Sequence, residues 1–111
     1  FNNLDISKIH LPNYMNDRVS SWHLFIVRFK QNVIRIKRKD KIINSLKKKG
    51  IFVNTHYIPL HYFKYIKKHL SSSHFPNAED YYKSSISIPL YPHLSNKEQK
   101  LIVNSINNII D

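Results

Sequence analysis

Gly50-Ile51-Phe52-Val53-Asn54-Thr55-His56-Tyr57-Ile58-Pro59-Leu60-His61 is the stretch on which the reading of this chain turns. Gly50 is the only glycine and follows Lys47-Lys48-Lys49, so it stands where a residue in the left-handed region closes a helix. Ile51-Phe52-Val53 is β-branched and aromatic, which predicts a short strand. Pro59 fixes its own φ and biases Ile58 away from helix. His56 to His61 is therefore expected as a rigid, non-helical turn after a strand. Two histidines and a tyrosine on such a turn read in two ways: a loop with surface histidines, or a binding site made of hydrogen-bonding, titratable groups.

Upstream, Asp40 to Lys49 predicts a helix, with Ile42, Ile43 and Leu46 on one stripe and Arg38 or Asp40 at its start. Its terminal lysines suit the negative end of the helix dipole. Trp22 to Phe29 predicts a strand. Trp22, Leu24, Ile26 and Arg28 share one face; His23, Phe25, Val27 and Phe29 share the other. Apolar residues on both faces predict cover on both sides. His23 is expected as a hydrogen-bonded core histidine. Lys30 to Ile36 reads as a connector with Val33, Ile34 and Ile36 partly buried. Phe1 to about Ser20 is polar, contains Pro12, and is expected as a lead-in that packs on something else.

Downstream, Leu60 to Leu70 carries a weak helical pattern, and Ser71-Ser72-Ser73 reads as a flexible spacer. Pro76-Asn77-Ala78-Glu79-Asp80 opens another helix, its acids serving as first-turn dipole partners. Tyr81, Tyr82 and Tyr91 are expected to pack near the sheet edge. Ser85 to Leu90 alternates like a strand and is ended by Pro89 and Pro92. Ser95-Asn96-Lys97-Glu98 is a capping box for a last helix, with Leu101, Ile102, Ser105, Ile106 and Ile109 as its buried stripe. The order β-α-β-loop-α-β-α, without repeats, predicts one small α/β (α+β) layer domain over residues 21–111.

The chain has 111 residues, 41% of them hydrophobic, enough for one modest core. It has no cysteine, which excludes disulfides, thiolate catalysis and zinc–thiolate sites and fits a reducing cytoplasm. No apolar run approaches the roughly 20 residues a membrane-spanning helix needs. The first residues have neither a basic region nor an apolar run, so they are no signal peptide. The chain does not begin with methionine and is expected to be a piece of something longer.

The formal net charge of +11, densest over Arg35 to Lys41, raises the possibility of a small basic nucleic-acid-binding module. Two features argue for a solvated face instead. The chain is loaded with Ile, Lys, Asn and Tyr and has a single alanine, the imprint of AT-rich codons. Its aromatic residues fall on strand faces or in the proline turn and form no single platform for stacking bases.

Four segments in register carry a family resemblance: Trp22-His23-Leu24-Phe25, Gly50 to His61, Phe75-Pro76-Asn77-Ala78-Glu79, and Ser87-Ile88-Pro89-Leu90-Tyr91-Pro92. Together they resemble the C-terminal small domain of the DegT-type sugar-nucleotide aminotransferases, of aminotransferase fold type I. The His-Tyr-Ile-Pro turn and the Trp-His-Leu-Phe strand are most similar to the transaminases of pseudaminic-acid biosynthesis. The resemblance implies a short, mostly antiparallel sheet packed with helices and a homodimer with active sites near the subunit interface. It implies an intact enzyme that takes pyridoxal phosphate and moves an amino group, usually from glutamate, to a UDP-linked 4-keto-6-deoxy sugar.

The resemblance also implies that the Schiff-base lysine and the other cofactor residues lie in a large domain, with residues 1–20 as the lead-in from it. No residue here matches those motifs. Lys64, Lys67 and Lys68 lie in a polar stretch without the desolvated pocket a catalytic amine needs. The chain is thus expected to be inactive alone, to expose an apolar patch and to be poorly soluble. By the same resemblance His56, Tyr57, Ile58, Pro59 and His61 are the candidate substrate-binding residues. His56 and Tyr57 would bond sugar hydroxyls or diphosphate oxygens, Ile58 and Pro59 would hold the turn and touch substrate, and His61 would line the same pocket or face solvent. The spacing of His56 and His61 across a proline is no standard metal-ligand geometry, and no metal is expected.

Overall fold

The computed structural model describes residues 1–13, 15–70 and 74–111. The Ser71–Ser73 spacer lies outside them. The framework is a three-stranded antiparallel sheet of β1 (Ile9–His10), β2 (Phe25–Phe29) and β3 (Ser85–Ile88), in that order. In register, Ile9 pairs with Phe29, Phe25 with Ile88 and Val27 with Ile86. The strand period of two puts these six apolar side chains on one face, and all six are buried. Helices α2 (Lys39–Lys48) and α5 (Asn96–Ile110) supply Ile42, Leu46, Ile102, Val103, Ile106 and Ile110 to the same core.

The lead-in belongs to this core. Leu4 and Ile9 are 3% and 1% exposed, and β1 extends the sheet. Polar bonds then tie the segment to α5. Asp5 donates its amide to Asn107 Oδ1 at 3.1 Å, Asn107 Nδ2 donates to the Asn3 carbonyl at 2.9 Å, and Lys8 pairs with Asp111. The expectation that residues 1–20 pack on something else is thus corrected for Leu4 to His10. Two buried positions, Leu4 and Ile9, with the exposed Ile6 between them, are too few to show a period.

Other elements differ from expectation for local reasons. The strand expected from Trp22 starts at Phe25, because Trp22 adopts a left-handed φ of 51°, which an extended run does not tolerate. His23, expected in the core, is exposed. The second face of β2 is only half-buried, with Ile26 and Arg28 along it. Lys30 to Ile36 is no irregular connector but a short helix, α1 (Gln31–Ile36), which buries Val33 and leaves Ile36 79% exposed. Six residues are too few to display a 3.6-residue period.

Helix α2 matches its pattern. Its end is a Schellman closure: Gly50 has φ +76°, its amide donates to the Lys47 carbonyl, and the Ile51 amide donates to that of Leu46. The strand expected at Ile51-Phe52-Val53 shrinks to one bridge, in which Asn54 and Ser87 exchange two backbone bonds of 3.1 and 2.8 Å. Two short helical turns follow, a 3₁₀ turn (Leu60–Tyr62) and α3 (Lys64–His69). Helix α4 (Pro76–Ser84) has proline in its first turn, as its opening residues predict. The Ser95–Glu98 capping box forms in full. On α5 Leu101 is exposed and Ile109 half-buried, while Val103 and Ile110 take buried places the expected stripe omitted.

Candidate functional site

The segment 54–61 leaves the sheet edge at the Asn54–Ser87 bridge and crosses to α4. His56 Nε2 and Ser87 Oγ are 2.9 Å apart, one hydrogen bond whose direction follows the imidazole tautomer. Ser87 Oγ also reaches the Asn54 carbonyl at 3.4 Å. Ser87 itself is buried, opposite Ile26 on β2, so this contact is built into the sheet. His56 Nδ1 is buried and has no hydrogen-bond partner among the described residues. The peptide joining His56 to Tyr57 is cis.

Between the anchors the chain turns outwards. Tyr57 is 76% exposed, its ring edge-on to His56 at 4.8 Å between centroids. Ile58 is half-exposed, whereas Pro59 is buried and seats the turn on the domain. At the far end His61 Nε2 lies 3.1 Å from Glu79 Oε1 on α4. Phe75 covers the His61 ring at 5.0 Å, and Tyr62 meets it edge-on at 4.7 Å. Lys83 Nζ adds a cation to the pair, 3.3 Å from Glu79 Oε2. The hydrogen bond from His61, with that from Lys83, holds the Glu79 carboxyl below its usual range.

The five candidate residues thus share one turn but not one pocket. His56 is tied to β3 and His61 to α4, and the side chains left facing outwards are Tyr57 and Ile58. The acids of α4 do more than complement its dipole. Glu79 holds His61, while Asp80 accepts from Arg28 at 2.9 Å and from Gln31. Pattern reading missed Ser87 and Glu79 as partners, since a serine in an alternating strand and an acid in a first helical turn both have ordinary local explanations. Of the three tyrosines expected to pack, Tyr81 and Tyr82 are half-buried beneath Arg28 and Lys39, and Tyr91 is about half exposed.

A separate open groove of about 1050 Å³ runs between described residues of the lead-in, among them Ile6, Leu11 and Met15, and the second face of β2, with Ile26 and Arg28 in its lining. It does not include the turn. Among the described residues no three His, Asp or Glu side chains are placed to hold a metal, and no helix is long and apolar enough to cross a membrane.

The small antiparallel sheet with helices against it is the fold shared with part of the sugar aminotransferases. The chain belongs to the DegT/DnrJ/EryC1/StrS aminotransferase family, which it matches over residues 1–107. It is 30% identical over 106 residues to the UDP-4-amino-4,6-dideoxy-N-acetyl-beta-L-altrosamine transaminase of Campylobacter jejuni, covering 95% of this chain and 27% of that protein. It is 28% identical over 101 residues to the spore coat polysaccharide biosynthesis protein SpsC of Bacillus subtilis, covering 89% of this chain and 26% of that one. In structure it superposes on Helicobacter pylori PseC, an aminotransferase involved in the biosynthesis of pseudoaminic acid, with a TM-score of 0.83. At 24% identity, over 96% of this chain and 28% of that one, this likeness speaks for the fold. The PMP-form of a putative sugar aminotransferase from Streptococcus pneumoniae gives 0.80 at 28% identity, over 98% and 27% of the two chains. The chain spans about a quarter of the length of these relatives.

Aminotransferases of this family use pyridoxal phosphate, and the Streptococcus relative is known in PLP- and PMP-forms. The described residues of this chain do not form a site for that group. Burial pushes the Lys39 amine below its usual range, but its ammonium lies 4.1 Å from the Tyr82 ring centre and donates to the Tyr82 carbonyl. That is a lysine satisfied within its own fold, with no anion cradle beside it.

Proposed function

We propose that this chain is the small-domain part of a pyridoxal-phosphate-dependent transaminase acting on a nucleotide-linked 4-keto-6-deoxy sugar, with glutamate as amino donor. The carrying observation is the family match across 1–107, joined to a turn that holds Tyr57 and Ile58 outwards. The Campylobacter relative's name, a UDP-amino-sugar transaminase, supports a UDP-linked substrate. Cofactor binding and the amine chemistry fall to a larger domain outside these residues, and the working enzyme is a homodimer. Of the five candidate residues, Tyr57 offers a phenol to sugar hydroxyls or diphosphate oxygens, and Ile58 offers apolar contact. His56, Pro59 and His61 hold the turn, with His56 close enough to Tyr57 to share a ligand. The basic nucleic-acid module is not favoured by the comparisons.

The test is to express the reading frame that carries this chain and supply glutamate and a UDP-4-keto-6-deoxy-N-acetylhexosamine. Formation of the aminated sugar, read by mass spectrometry, is the expected result. A protein that binds pyridoxal phosphate yet aminates no nucleotide sugar would overturn the substrate assignment.

A further inference from the structure

We infer that Ser87 and Glu79 are positioning residues for the 56–61 turn, fixing its two ends so that Tyr57 and Ile58 are held in one place for a ligand. The inference deepens the reading of this turn as the sugar-nucleotide contact and rests on it. At the first end the fixing is threefold: two backbone bonds between Asn54 and Ser87, and the 2.9 Å contact between Ser87 Oγ and His56 Nε2. Ser87 can do this because β3 is an edge strand. Its one full neighbour is β2, and its other side has free backbone groups for Asn54 to use. At the second end a single side-chain contact, His61 to Glu79, bridges 18 positions of sequence between the turn and α4. Phe75 and Tyr62 pack against the His61 ring, and Lys83 holds the other oxygen of the carboxylate.

The geometry separates holding from contacting. His61 and Glu79 side chains are 15% and 22% exposed and face each other. Tyr57, between the anchors, is 76% exposed. A loop whose reach depends on two anchors loses less entropy on binding a ligand than a free one, which is how positioning residues raise affinity without touching substrate.

Hydrogen–deuterium exchange on the full-length protein that carries this chain tests this without any ligand. Loss of one hydrogen bond should speed exchange of the hydrogen-bonded amides at the turn's two ends, Asn54 and Ser87 at the first and Tyr62 and Phe63 at the second, by about three- to tenfold. That result is expected for Ser87→Ala and for Glu79→Ala, with the α5 amides from Leu101 to Ile106 unchanged. Glu79→Gln keeps a neutral acceptor for His61 but loses the charge, so its exchange should fall between that of Glu79→Ala and that of the unaltered protein. His56→Ala combined with Ser87→Ala should be no faster than either alone, because the two act through one bond. Unaltered exchange at the turn's ends, or a parallel rise in α5, would overturn the inference. A separate arm adds UDP-N-acetylglucosamine to the unaltered protein. Failure to slow exchange at Tyr57 and Ile58 would count against the substrate reading and leave the anchoring result standing.

Discussion

The Ile51 amide donates to the Leu46 carbonyl at 3.0 Å across Gly50, closing α2 and delivering Ile51 to the core. The whole 54–61 segment departs from this closure, so the geometry of one glycine governs where the turn begins. A Cβ added at Gly50 would meet nothing within 4 Å, so a substitution costs only the left-handed backbone. Gly50→Ala is expected to lower stability by about 1–2 kcal/mol, with an unchanged urea m-value. A loss above about 3 kcal/mol in urea unfolding would mean that the position also packs.

Ile106 is fully buried beside Ile42 and Leu46, which are buried to the same degree. Ile106→Ala removes three carbons from the contact between α5 and α2 and leaves a cavity. The expected loss is about 2–5 kcal/mol, a large share of what a domain this small can have. Denaturant unfolding followed by circular dichroism reads it directly. A loss under about 1 kcal/mol would show that the layer can collapse around the gap.

Acid should loosen the second anchor of the turn. The Glu79 carboxyl is held below its usual range in the fold by His61 and then Lys83. A depressed folded value means that its contribution is fully present above the unfolded value, about 4.3, and is lost as pH falls through the folded value. The wild-type chain should therefore be more stable than Glu79→Gln near pH 6, and the two should converge below about pH 4. Asp5, Asp17 and Glu98 are depressed as well, so the difference between the two proteins, not the wild-type curve, carries the information. Parallel curves across this range would mean that the carboxylate pairing adds nothing to the fold.

The order of the main elements was legible because each has a local signal. Gly50 after a lysine run, Ser95 three residues before Glu98, and Pro76 before two acids are all readable from one window of sequence. The candidate turn was legible in the same way, from Pro59 and its flanking histidines. What gives those histidines partners was not. Ser87 is 31 positions from His56 and Glu79 is 18 from His61, and no local pattern encodes such a pairing. The same limit hid the place of Leu4 and Ile9 in the core, which depends on α5 a hundred residues away. His23 was misplaced because alternation was extended through Trp22, where the backbone is left-handed and strand parity no longer holds.

Tyr57 and His56 separate contact from support in the working enzyme. Tyr57→Phe removes a phenol that makes no hydrogen bond within the described part of the chain. It should leave folding intact and raise KM for the sugar nucleotide by about three- to tenfold, the worth of one neutral hydrogen bond. His56→Ala removes both the link to Ser87 and the ring against which Tyr57 rests, 4.8 Å away. It should weaken sugar-nucleotide binding at least as much. Neither change is expected to alter the affinity for pyridoxal phosphate, which a larger domain is proposed to hold. Steady-state kinetics on both variants, with cofactor binding followed by absorbance, decide the matter. Unchanged KM in both would remove the turn from the substrate site, and a loss of cofactor binding in either would place it nearer the chemistry than the small domain alone suggests.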